Sequence, residues 1–88
     1  MHKDFIIGET KFVELEVASR DGSEFTITSA TWTLESMGEE VDHGTAIIDG
    51  HKVSVLLTAP EIAGRYTLII WYNIPPEVIG AKVVVNVE

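Results

Sequence analysis

Two histidines, His43 and His51, flank the segment 44–50, and the carboxylates Glu39, Glu40 and Asp42 crowd just ahead of them. Imidazole and carboxylate are the usual ligands of zinc and of harder cations, so a metal centre is the first chemistry to weigh. A structural zinc site needs four ligands in fixed geometry, and the spacing around His43 and His51 supplies no further imidazole or thiolate. "GEEVD" also lacks the regular alternation of ligands found in calcium loops. Exposed turn residues account for both groups, so no metal and no cofactor is assigned. A small metal-dependent enzyme built on His43 and His51 ranks last among the functions weighed.

Other catalytic arrangements fare no better. Ser19, Ser23, Ser29, Ser36 and Ser54 lack the context of a nucleophile elbow, and no glycine-rich phosphate loop is present. Acids such as Glu14 and Glu16 alternate outward along a strand pattern, whereas paired catalytic carboxylates need a shared concave apolar setting. The chain is therefore read as non-enzymatic.

Cysteine is absent, which removes thiolate chemistry and a disulfide framework. The formal charge is −8 and the six cations are scattered singly, so phosphate backbones and anionic lipid are repelled. Nucleic acid and membrane are accordingly excluded as partners. The opening "MHKDFIIGET" offers Phe5, Ile6 and Ile7 as its apolar core, short of the roughly 7–15 residues of a leader. The densest apolar run, "YTLIIWY", is far below the roughly 20 residues of a membrane helix. Synthesis in the cytoplasm is the expectation.

The elements that must position any site are strands. Apolar and polar residues alternate through "KFVELEVAS", "EFTIT", "ATWTLES", "KVSVLLT" and "AGRYTLIIWYNI", and no long window shows the helical period. Phe12 breaks the alternation at the start of the first of these. Turn signals separate the runs: "RDGS", "MGEE", and Asp49-Gly50 between "TAII" and "KVSVLLT". "VDHGTAIID" fits one short strand or two, "APEIAG" a loop with room for one helical turn, and "AKVVVNVE" a last strand after Gly80. The 88 residues make one domain, 1–88, of seven to eight short strands, an all-β sandwich or barrel. The expected core is Val13, Leu15, Val17, Ile27, Trp32, Leu34, Val53, Val55, Leu57, Tyr66, Leu68, Ile70, Val83 and Val85.

Val17, Trp32, Leu68 and, two residues before Leu68, Tyr66 with Gly64 ahead of it form a spaced set. This set resembles the immunoglobulin (Ig) fold, in which a mid-chain Trp packs between two strand residues and a Tyr closes a corner. Val17 and Leu68 stand where antibody domains carry cysteines, so the resemblance is to Ig-like domains generally. It implies a sandwich of two antiparallel sheets. The Tyr66 hydroxyl is then expected to bond a backbone group near Leu57 to Pro60. A looser resemblance joins Thr28, Ala30 and Trp32; Gly44, Ala46 and Ile48; Val53 and Leu56; and Gly64, Tyr66 and Leu68. In that pattern the chain is similar to small Ig-like modules of bacteriophages and prophages. The likeness implies a virion- or tail-associated structural protein, and the virion as its place of residence.

If Tyr66, Leu68, Ile70 and Tyr72 face inward, then Thr67, Ile69 and Trp71 face outward. The neighbouring strands add Val84, Thr31 and Thr33 to that outer face. Ile69, Trp71, Val84, Thr31 and Thr33 are thus the candidate interface, since aromatic residues in such a patch anchor protein contacts. Trp71 could instead be covered within the chain, by "IPPEVIG" or "DFIIG". The partner expected is protein: a second copy, giving a homo-oligomer, or a virion or tail component. A carbohydrate- or cell-surface-binding module, with Trp71 and Tyr72 stacking on sugars, is the alternative.

Overall fold

A computed structural model describes residues 1–18, Gly22 and 24–88. Among the described residues there are eight strands and no helix: β1 (His2–Phe5), β2 (Thr10–Glu16), β3 (Ser29–Ser36), β4 (Glu39–Thr45), β5 (Ile47–Asp49), β6 (Lys52–Thr58), β7 (Gly64–Ile74) and β8 (Glu77–Val87). The larger sheet has the order β1-β8-β7-β3-β4 and the smaller the order β2-β6-β5. Their inner faces enclose one apolar cluster, an Ig-like β-sandwich. The long β7–β8 hairpin runs in register from Gly64↔Val87 to Ile74↔Glu77.

Alternation sets which residues meet. Val13, Val53, Val55 and Leu57 from the smaller sheet face Trp32, Leu34, Tyr66, Leu68, Ile70, Val83 and Val85 from the larger, and all are buried. Each such Val or Leu contributes roughly 1.5–3 kcal/mol by leaving water. Leu15 is half-buried at the rim of the cluster. β3 passes to β4 through Met37-Gly38, with φ of 53° and 82°. Positive φ at both central residues matches the right-handed twist of the flanking strands.

Several expectations need correction. The run "EFTIT" forms no strand. Its bonds to a strand are from Thr28, whose amide donates to the Asn73 carbonyl, so the alternation buries Ile27 without building a ladder. The "RDGS" turn lies outside the described residues except for Gly22. The segment "VDHGTAIID" is two strands in different sheets, and buried Ala46 is the crossing point, its amide bonded to the Ala30 carbonyl. The next hairpin loop is Gly50-His51, because Asp49 pairs with Lys52. "APEIAG" contains no helical turn. The last strand starts at Glu77, three residues before Gly80, since Pro75-Pro76 closes the hairpin directly.

β1 is an addition. It pairs with β8 in parallel, from His2↔Val84 to Phe5↔Val87, so the larger sheet is not wholly antiparallel. Phe5 enters the core there at 1% exposure. A parallel partner this distant in sequence leaves no local turn signal to announce it. Among the described residues no helix is long and apolar enough to cross a membrane.

Candidate functional site

Residues paired across a sheet share a face, so the register assigns the outer face of the larger sheet row by row. One row runs Gly80–Trp71–Thr31–Thr45 and the next Lys82–Ile69–Thr33–His43. The row beyond is His2–Val84–Thr67–Glu35–Glu40. The five residues expected on this face therefore lie in three adjacent rows.

Their exposures differ. Trp71 is 42% exposed and Thr31 is exposed, while Thr33 and Val84 are half-buried. Ile69 is 8% exposed although it points away from the core cluster, so it forms a floor under the patch rather than a contact. Trp71 lies across Gly80: a Cβ built there would sit 2.8 Å from its Cζ3 and 3.0 Å from its Cε3. The missing side chain is thus the seat of the indole, one ring face resting on backbone. Val78, a diagonal neighbour on β8, is 69% exposed and widens the apolar patch. Val78 precedes the strand expected after Gly80 and joins the face because β8 begins at Glu77.

Beyond Thr31 and Thr33 the face dips into a shallow hollow lined by Thr45, Gly44, His43 and Glu40. His43 Nδ1 lies 3.2 Å from Glu40 Oε2. Charges around the face are mixed: Arg65 and Lys82 stand among Asp4, Glu35, Glu40 and Glu88. At the β1 edge the His2 ring, 2.8 Å from Asp4 Oδ1, holds the Asp4 carboxyl below the usual carboxylate range.

The corner residues occupy the opposite face. Tyr66 is buried, and its hydroxyl donates to the Ile62 carbonyl at 2.6 Å. The acceptor is two residues beyond the expected Leu57–Pro60 stretch, because the loop folds back just before the strand. Gly64 opens β7 opposite Val87 and is exposed. Trp32, Val17 and Leu68 belong to one buried cluster. A Cβ on Gly44 would lie 2.8 Å from Trp32 Nε1, so the core indole is seated on a glycine too.

His43 and His51 are not brought together. His43 lies on β4, whereas His51 is in the β5–β6 turn of the other sheet, stacked on Phe25 with ring centroids 4.0 Å apart. Among the described residues no group of three or more His, Cys, Asp or Glu side chains could hold a metal.

No protein-family model matches the chain. No curated protein matches it. Among solved structures it is similar to the crystal structure of the titin M3 domain, with a TM-score of 0.50 and 17% identity over 99% of this chain and 88% of that one. At that identity the likeness concerns the fold, an Ig-like sandwich.

Proposed function

We propose that this chain is a non-enzymatic interaction module that docks on protein through the outer face of its larger sheet. One observation carries the reading: the Trp71 indole, seated on Gly80, remains 42% exposed beside Val78 on the outer face of the sheet. A held aromatic ring loses little conformational freedom on binding, which makes it an efficient anchor. Arg65 and Lys82 among the acids of this face offer opposite charges to a second copy despite the −8 of the whole chain. Self-association is tested by light scattering on the size-exclusion peak of the parent and of Trp71→Ser, with circular dichroism as a check on folding. An oligomer in the parent that Trp71→Ser dissolves supports it; monomers in both remove it.

The finer form of the proposal places the module in a phage virion or tail. It rests on the spacing of Thr28, Ala30 and Trp32, of Gly44 and Ala46, and of Gly64 and Tyr66. Neighbouring genes test it: head or tail genes alongside support it, and a cellular operon in their place counts against it.

The hollow favours one second reading. The hydroxyls of Thr31, Thr33 and Thr45 beside Trp71 are the groups a sugar-binding face uses, a flat ring flanked by hydrogen-bonding partners. Tryptophan fluorescence titrated with a broad glycan panel decides; a flat response eliminates that reading.

A further inference from the structure

β2 is an edge strand of the smaller sheet, paired to β6 along one side. The amide of Ala59 donates to the Glu9 carbonyl and that of Val17 to the His51 carbonyl. Odd-numbered residues of β2 therefore bond inward to β6. The backbone groups of Thr10, Phe12, Glu14 and Glu16 point the other way, as the alternation of an antiparallel ladder requires. Among the described residues no backbone group bonds them.

The other edges are blunted. β4 is almost wholly exposed, carries Glu39, Glu40 and Asp42, and pairs with β3 through a register shift. β1 has four residues and β5 three. β2 has seven, with no proline and no register shift. Charged side chains, bulges and shortness are the devices that keep edges from pairing. The single lysine of β2, Lys11, does not guard its edge, since its Nζ is drawn 3.2 Å from Glu9 Oε1 and lies over the Phe5 ring.

The outer face beside this edge is apolar where it should be polar. Phe12 is 52% exposed, Leu56 directly opposite it 51%, and Ile47 on the next strand 54%. Along the edge itself the outward side chains run Phe12, Glu14, Glu16. Among the described residues Lys52 is the one cation on that face, opposite both Glu16 and Asp49 and 3.5 Å from Glu14.

We infer that the smaller sheet accepts a fourth strand from another protein: an extended segment, added along β2, in which apolar residues alternate with Lys or Arg. Its backbone bonds the free groups of Phe12, Glu14 and Glu16. Its cations oppose Glu14 and Glu16, and an apolar residue joins Phe12 and Leu56. Strand addition of this kind draws affinity from the main chain and selectivity from alternate side chains. A second copy of β2 fits less well, because each copy brings its own glutamates and a charge of −8. This surface lies on the sheet opposite Trp71, so it stands or falls apart from the reading given above.

The test is titration of the isotope-labelled chain with the acetylated, amidated peptide KVKVLVT, read by amide shifts and by amide hydrogen exchange. Saturable shifts and new protection at Phe12, Glu14 and Glu16 are expected, with the control EVEVLVT binding about tenfold or more weakly. Glu14→Lys with Glu16→Lys reverses the preference between the two peptides while leaving the β6 ladder untouched. Glu14→Pro removes an outward donor that β6 does not use and abolishes the protection. Three results overturn the inference: no saturable shift, equal affinity for both peptides, or shifts confined to the Trp71 face. Protection of Phe12 and Glu14 that grows with protein concentration in the absence of peptide also overturns it, in favour of a second copy.

Discussion

Gly44→Ala separates an enclosed seat from one open to solvent on one side. The added methyl would stand 2.8 Å from Trp32 Nε1 and 2.9 Å from Cε2 and Cζ2. Ordinary carbon contacts fall near 3.5–4.0 Å, so the indole must retreat by roughly 0.6–1 Å. Trp32 is buried in a close-packed cluster, and such overpacking costs about 1–3 kcal/mol. Replacing a strand glycine returns roughly 0.5–1 kcal/mol of backbone entropy, leaving a net loss of about 0.5–2 kcal/mol. For a domain of this size each kcal/mol moves Tm by about 4–8 °C. Gly80→Ala is the matched control, with a similar clash of 2.8 Å against Trp71. That indole faces solvent and can swing outward, so stability changes by within about 0.5 kcal/mol, as at other surface positions. Its fluorescence shifts to the red. Urea unfolding followed by circular dichroism and by tryptophan emission reads both variants. A Gly44→Ala protein as stable as the parent, or a larger loss in Gly80→Ala, refutes the reasoning.

Tyr66→Phe removes the hydroxyl bonded to the Ile62 carbonyl and lowers stability by about 0.5–1.5 kcal/mol, measured in urea. The lower half of that range is expected, because Ile62 is exposed and its carbonyl can regain water. Met37→Asn relieves a side chain held at a φ of 53° in the β3–β4 turn and raises stability by about 0.5–1 kcal/mol; an unchanged midpoint would refute it. The Ile6 amide, and next Lys11, hold the Glu9 carboxyl below the ordinary value of 4.5. Its contribution is therefore complete above pH 4.5 and is lost as pH falls through the lowered value. Glu9→Gln flattens this acid limb, and Tm curves that stay parallel to the parent's from neutral to acid pH count against the assignment.

Much of the sandwich was legible because side-chain alternation is a local property. Val13, Val53, Val55, Leu57 and the inward residues of β7 and β8 follow from period two alone. Partners are not local. "EFTIT" alternates as well as any strand, yet it forms no strand, and the four residues of "HKDF" become one only because β8 lies beside them in parallel. The crossing at Ala46 carries no turn signal because the chain changes sheets without reversing. On the larger sheet, the face of Trp71 followed from parity, but the seat on Gly80 required the register. On the smaller sheet the signal lies in doublets, of which the break at Phe12 is the first. Phe12-Val13, Ile47-Ile48 and Leu56-Leu57 are adjacent apolar pairs, which send one large side chain to each face. In an otherwise alternating strand, such a doublet marks a face that is not plain solvent surface.

The floor residue Ile69 has a consequence in time. β7 runs between β3 and β8, and Leu68, Ile69 and Ile70 are buried on both of its faces. No rim strand can peel away and expose this tripeptide, so its amide protons reach solvent when the sandwich opens as a whole. The middle of β7 is therefore the molecule's slowest clock, ticking with global unfolding while the edges breathe.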